Sequence, residues 1–225
     1  MIRAYPPGWG PSVYGVRMSD ASLGRRPYVV GALVAVLLVA GLGMVLALRG
    51  KEPAFDLAWM AEIVAHRGTG WELVSRVFDV LGGGWFAILV VPIGVAVAFV
   101  FAHRPWSALA FVLASAVAAL GCQLLKVAFG RARPEEILLP LDNGSFPSGH
   151  VTNAAVIAVT LGLLLHRAWV WVAGVVYVIA MALSRTYLGA HWLSDTLGGA
   201  LLGAAVAVLV YCLLLPKLRR EPLAR

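Results

Sequence analysis

Residues 29–48 read VVGALVAVLLVAGLGMVLAL, twenty residues without a charge or a polar side chain. A helix rises about 1.5 Å per residue, so this run is as long as the hydrocarbon core of a bilayer is thick, about 30 Å. Further apolar, charge-free runs follow at 80–102, 105–125, 151–165, 168–184 and 196–216. Backbone polar groups in lipid must be satisfied within the chain, which leaves helices or a closed barrel. Barrel strands alternate apolar and polar residues, whereas these runs are apolar on every face. The chain therefore reads as an all-α polytopic membrane protein, a bundle of six transmembrane helices. Composition agrees: 61% of the 225 residues are hydrophobic and only 13% charged, against about 25% charged in a typical soluble domain. The first run reads as an uncleaved span, because Arg49-Gly50-Lys51-Glu52 follows it where a signal peptide would place small residues. Cys122 and Cys212 lie inside apolar runs and offer neither a disulfide framework nor metal-ligand spacing.

The formal charge of +7 is unevenly distributed. With a cytoplasmic N-terminus, the inner segments hold Arg3, Arg17, Arg25, Arg26, Arg104, Arg167, Lys217, Arg219, Arg220 and Arg225, but only Asp20 and Glu221 among the acids. Basic residues concentrate on the cytoplasmic side of membrane proteins, so the excess is a topology signal and an attraction to anionic headgroups. It is not a nucleic-acid patch, which would need one soluble face. Residues 1–27 read as a flexible cytoplasmic tail, 28–216 as the membrane domain and 217–225 as a basic cytoplasmic tail. The two long connections, 49–79 and 126–150, then lie outside. In the first, Trp71, Val74, Phe78 and Leu81 recur at helical spacing, with Glu72, Ser75, Arg76 and Asp79 off that face. That pattern predicts a pair of short interfacial helices, either resting on the membrane surface or covering a lipid-entry groove.

Three segments carry polar groups that an apolar bundle has no packing reason to hold. They are Lys126-Val-Ala-Phe-Gly-Arg-Ala-Arg133-Pro134, Pro147-Ser148-Gly149-His150, and Ser184-Arg185-Thr-Tyr-Leu-Gly-Ala-His191-Trp-Leu-Ser-Asp195. All fall at span ends on the outer side. Lys126, Arg133 and Arg185 would repel one another at one point unless an anion of several charges sat among them, and the guanidinium fork matches phosphate oxygens. Ser148 and Gly149 precede a span, where free helix N–H groups form an anion site. His191 and Asp195, four residues apart, share a helix face, so the carboxylate can fix one ring nitrogen and leave the other as a nucleophile. His150, from another segment, supplies a general acid. No carboxylate cluster is placed to hold Mg²⁺, so no metal is expected. Arg131, Glu135, Glu136 and Asp142 read as loop charges. Taken singly, the cations could be interface anchors and the His191–Asp195 pair a helix-surface contact.

These segments match, without departure, the three motifs of the type 2 phosphatidic acid phosphatase superfamily, the lipid phosphate phosphatases, and the chain resembles that family. The resemblance implies a six-helix bundle with its site at the outer leaflet. It implies His191 as nucleophile, His150 as acid/base and Asp195 as orienting carboxylate. Lys126, Arg133, Ser148, Gly149 and Arg185 would be phosphate ligands. The expected activity is metal-independent and cofactor-free hydrolysis of a lipid phosphate or diphosphate through a phosphohistidine. Phosphatidic acid, phosphatidylglycerol phosphate and a polyprenyl diphosphate are all candidates, and the oligomeric state is left open. A vanadium haloperoxidase shares the anion cradle but not the spans. A lipid transporter or scramblase would use the cations only to hold headgroups.

The topology has a direct check. The variant Asp142→Cys should react with a membrane-impermeant thiol reagent added to intact cells; reaction only after the cytoplasm is opened would invert it.

Overall fold

The computed structural model describes residues 24–140 and 144–221. Asp142 and nearly all of the expected N-terminal tail lie outside those residues. In chain order the helices are α1 (Arg26–Arg49), α2 (Ala54–Ala65), α3 (Thr69–Gly82), a π-helical turn (Phe86–Val90) running into α4 (Val91–Phe101), α5 (Pro105–Phe129), α6 (Gly149–Leu165), α7 (Ala168–Tyr187) and α8 (Leu193–Leu218). Prolines open α1 and α5 in their first turn, where the missing N–H is no loss. Gly50 and Gly130 end the same two helices with φ of +63° and +53°, which a side chain would resist.

Four helices, α1, α5, α7 and α8, are long and apolar enough to cross a membrane. The α3–α4 pair passes together as a fifth but bends by 47° at its break, and α6 is a shorter apolar helix. Among the described residues the count on length and composition is thus four or five, against the expected six. The difference arises at the broken α3–α4 pair and at the short α6. The 80–102 run is not one rod: Gly82-Gly83-Gly84, residues with little inclination to helix, interrupt it, and Gly84 takes φ +56°. Hydropathy alone does not register such a break. Two short helices do form there, α2 and α3. On α3, Ser75 is buried and Phe78 packs against Val151 and Met181, while Trp71, Val74, Leu81 and Arg76 are exposed, so the face that packs inward mixes polar and apolar residues.

Helix α8 is the axis, touched by α6, α1 and α5, with α7 closing against α6. Close approach of α6 to α8 depends on missing side chains. A Cβ on Gly199 would stand 2.5 Å from the Ser148 carbonyl oxygen, and one on Gly203 would collide with the Thr152 carbonyl. On α5 the small residues Ala110, Ala114, Ala118 and Cys122 repeat at four-residue spacing and pack with Phe146, Val206 and Val210. Small residues let backbones approach where lipid offers no hydrophobic drive to association. Outward positions are apolar: Phe101 and Val127 are over 80% exposed. At the far end from the polar segments, the Glu221 carboxylate accepts from the backbone N–H groups of Trp106 and Ser107 and from the Ser107 hydroxyl. Residues 217–221 therefore pack against the start of α5 and do not hang free as a tail.

Gly203→Ala should lower stability by about 1–3 kcal/mol through overpacking against backbone. Gly41→Ala, with nothing within 4 Å of its Cβ, should be neutral or slightly stabilising. Unfolding in detergent measures both, and equal behaviour would contradict the packing described.

Candidate active site

The polar segments meet at one end of the bundle, around a cavity of about 400 Å³. Lys126, Arg133, Gly149, His150, Arg185 and His191 all line it. Lys126 sits in the last turn of α5, buried, and donates to the Gly144 carbonyl. Arg133 follows on the loop, donating to the Ala190 carbonyl and, at 3.4 Å, to that of Gly144. Arg185 is fully buried near the end of α7; its Nη2 donates to Ser184 Oγ at 2.9 Å and to the Ser75 carbonyl at 3.2 Å. From this cradle the cavity extends down between α4 and α5 to Pro92, Val112 and Ser115, with mostly small apolar walls.

Ser148 caps α6 from extended backbone, and its N–H donates to the Asp195 carbonyl oxygen at 3.0 Å. The first bond of the helix is Thr152 N–H to the Ser148 carbonyl, so the N–H groups of Gly149, His150 and Val151 have no intrahelical acceptor. The Ser148 hydroxyl is buried without a hydrogen-bond partner. A buried hydroxyl left unbonded is costly, and an anion oxygen at the helix start would satisfy it.

His191 lies in the turn between α7 and α8. That turn is pinned by Leu138 N–H to the Leu188 carbonyl at 2.9 Å and by the Trp192 indole N–H to the Ala132 carbonyl at 3.0 Å. His191 as a whole is only 3% exposed. Burial first, and then the charges of Lys126 and Arg133, hold its pKa well below the usual histidine range. The ring is therefore neutral near pH 7, the state a nucleophile needs. Its Nδ1 stands 3.6 Å from Asp195 Oδ2, adjacent but not hydrogen-bonded. Asp195 is engaged elsewhere: Oδ2 accepts from the Trp192 N–H at 2.9 Å and Oδ1 from Arg131 Nη1 at 2.6 Å.

Arg131 is the largest departure from the sequence reading, which placed it among loop charges. It is 5% exposed and central to a charge network. Nη1 also donates to Ser194 Oγ at 2.7 Å; Nη2 donates to Asp56 Oδ2 at 2.9 Å and to the Glu52 carboxylate. Asp56, fully buried, accepts in turn from Ser194 N–H at 2.9 Å and Ser194 Oγ at 2.6 Å. The network ties α2 to the start of α8, behind His191. The one available signal was Asp56 itself, a charge in the otherwise apolar stretch from Ala54 to Met60. The second unforeseen residue is Asp79 on α3, whose Oδ1 lies 2.5 Å from Arg185 Nη1 and 3.2 Å from His150 Nε2.

Known proteins resemble the chain in sequence and in fold. A family model, the PAP2 superfamily, matches residues 107–219. Phosphatidylglycerophosphatase B of Bacillus subtilis is 32% identical over 165 residues, 68% of this chain and 74% of that enzyme. An undecaprenyl-diphosphatase of Sulfolobus acidocaldarius is 37% identical over 82 residues, 36% of this chain and 39% of its own length. Among solved structures, a transmembrane PAP2-type phosphatidylglycerolphosphate phosphatase from Bacillus subtilis superposes with a TM-score of 0.67. It is 29% identical, and the match covers 78% of this chain and 93% of that one.

Arg131→Met should be severely destabilising, by about 3–5 kcal/mol, because it strands buried carboxylates at Asp56 and Asp195. Arg76→Met, which removes an exposed pair with Glu72, should cost no more than about 1 kcal/mol. Unfolding in detergent compares them; similar losses would show that the buried network is not structural.

Proposed function

The chain belongs to the PAP2 superfamily, and from that premise we propose that it hydrolyses a lipid phosphate or diphosphate through a phosphohistidine at His191. Its named relatives are phosphatases that act on an undecaprenyl diphosphate and on a phosphatidylglycerol phosphate. The shared chemistry is removal of a terminal phosphate from a membrane lipid. The observation that carries the reading is the convergence of both histidines and three cations on one cavity.

In the first step the free lone pair of the His191 ring attacks phosphorus. The N–P bond forms, the bond to the lipid oxygen breaks, and His150 gives that oxygen its proton. Lys126, Arg133 and Arg185, with Ser148 and the first N–H groups of α6, take up charge on the equatorial oxygens. Asp195, 3.6 Å behind the ring, is the carboxylate that receives the charge appearing on His191. In the second step water gives a proton to His150 and its oxygen displaces His191, releasing inorganic phosphate. No step calls for a metal.

Six crossings fit this proposal, with the π-helical turn and α4 together, residues 86–101, as the second and the short α6 as the fourth. Both termini then lie in the cytoplasm, in a plasma membrane, with the site at the outer leaflet. The apolar extension of the cavity between α4 and α5 suits a substrate whose phosphate is tied to a hydrocarbon chain.

His191→Ala should lower phosphate release from lipid substrates by at least about a thousandfold. Wild-type release should persist in EDTA, and millimolar vanadate should suppress it as a transition-state mimic. Release that survives His191→Ala, or that stops in EDTA, would overturn the proposal.

A further inference from the structure

His150 comes from α6, but its ring is held by α3. The imidazole is packed against the end of that helix so tightly that a Cβ on Gly83 would lie 2.5 Å from its Cε1, and one on Gly82 would lie 3.3 Å from its Cδ2. Its Nε2 faces two oxygens of one residue, the Asp79 carbonyl at 3.1 Å and Asp79 Oδ1 at 3.2 Å. Both are acceptors, so Nε2 must carry a hydrogen in every protonation state that keeps this geometry. The proton that can be exchanged is then the one on Nδ1. The same Asp79 Oδ1 accepts from Arg185 Nη1 at 2.5 Å, which prevents the carboxylate from swinging away. Ser75, one helical turn earlier on the same face, fixes the other arm of Arg185 through its carbonyl.

We infer that Asp79 is a positioning residue for the leaving-group acid, forming with His150 and Arg185 a carboxylate–imidazole–guanidinium unit supplied by the interfacial helix α3. This rests on the phosphatase reading above. During phosphoryl transfer the lipid oxygen takes the Nδ1 proton as its bond to phosphorus breaks. The ring is left as neutral imidazole, with Nε2–H still donated to Asp79; nothing passes to the carboxylate. Lys126 from α5, Arg133 from the following loop and His191 also face the cavity that His150 lines, with Arg185 from α7 beyond Asp79. Asp79 is the carboxylate in contact with the ring.

The test is Asp79→Asn, which keeps the size and one acceptor oxygen, assayed in the full-length protein by kcat/KM on two substrates. An alkyl lipid phosphate needs its leaving oxygen protonated; p-nitrophenyl phosphate does not. The expected result is a loss at least about tenfold larger on the alkyl substrate. Asp79→Glu should recover part of the alkyl activity. Equal losses on both substrates would mean that Asp79 serves only Arg185 or the fold, and would overturn the inference, as would no loss at all. The wild-type protein and His191→Ala, run alongside, show whether the phosphatase reading stands, so the two failures are distinguishable.

Discussion

A buried neutral imidazole among fixed cations is the condition on which the rest of this site depends. His191 is withdrawn from water and surrounded by Lys126, Arg133 and Arg185. Those charges repel a proton from the ring and attract an anion to the same place. The two needs of the proposed attack on a phosphate, a free lone pair and an approach without repulsion, would thus be met by one set of side chains. The nearby carboxylates do not cancel this field evenly. Asp195 is tied to Arg131, and Asp79 is tied to Arg185 and His150, so each negative charge has a set direction.

The fold supports that condition with devices suited to lipid. Outer positions are apolar, and the helices approach through glycine and alanine. The two short helices turn single polar residues inward, so that α2 delivers Asp56 to Arg131 and α3 delivers Asp79 and Ser75 to Arg185. Burying such charges is costly unless they are paired and hydrogen-bonded, and here they are. The Gly82–Gly84 break does two things at once. It ends α3 where Asp79 faces His150, and it leaves room for the imidazole ring.

Most of the membrane architecture was legible because lipid imposes a strong constraint on composition: long charge-free runs marked α1, α5, α7 and α8. The break between α3 and α4 was not legible, since it is a backbone event within a continuously apolar run. The cradle residues were legible for another reason. Lys126, Arg133, His150, Arg185 and His191 are polar groups at span ends with no packing reason to be there, and their spacing matched a family. Arg131 and Asp79 escaped because each looked like an ordinary loop or surface charge. Their partners are remote in sequence, 64 residues separating Arg131 from Asp195 and 106 separating Asp79 from Arg185, and only tertiary structure joins them. Asp79 lies off the apolar face of α3, and a charge in that position can still be one that packs inward.

The most direct measurement is to trap the intermediate. Purified protein is mixed with a lipid substrate carrying labelled terminal phosphate, quenched in alkali within the first turnover, digested and analysed by mass spectrometry. The account predicts label on the peptide containing residue 191, stable to alkali and released by acid, as a phosphorus–nitrogen bond requires. Phosphate released without any labelled peptide, or label on another side chain, would contradict it.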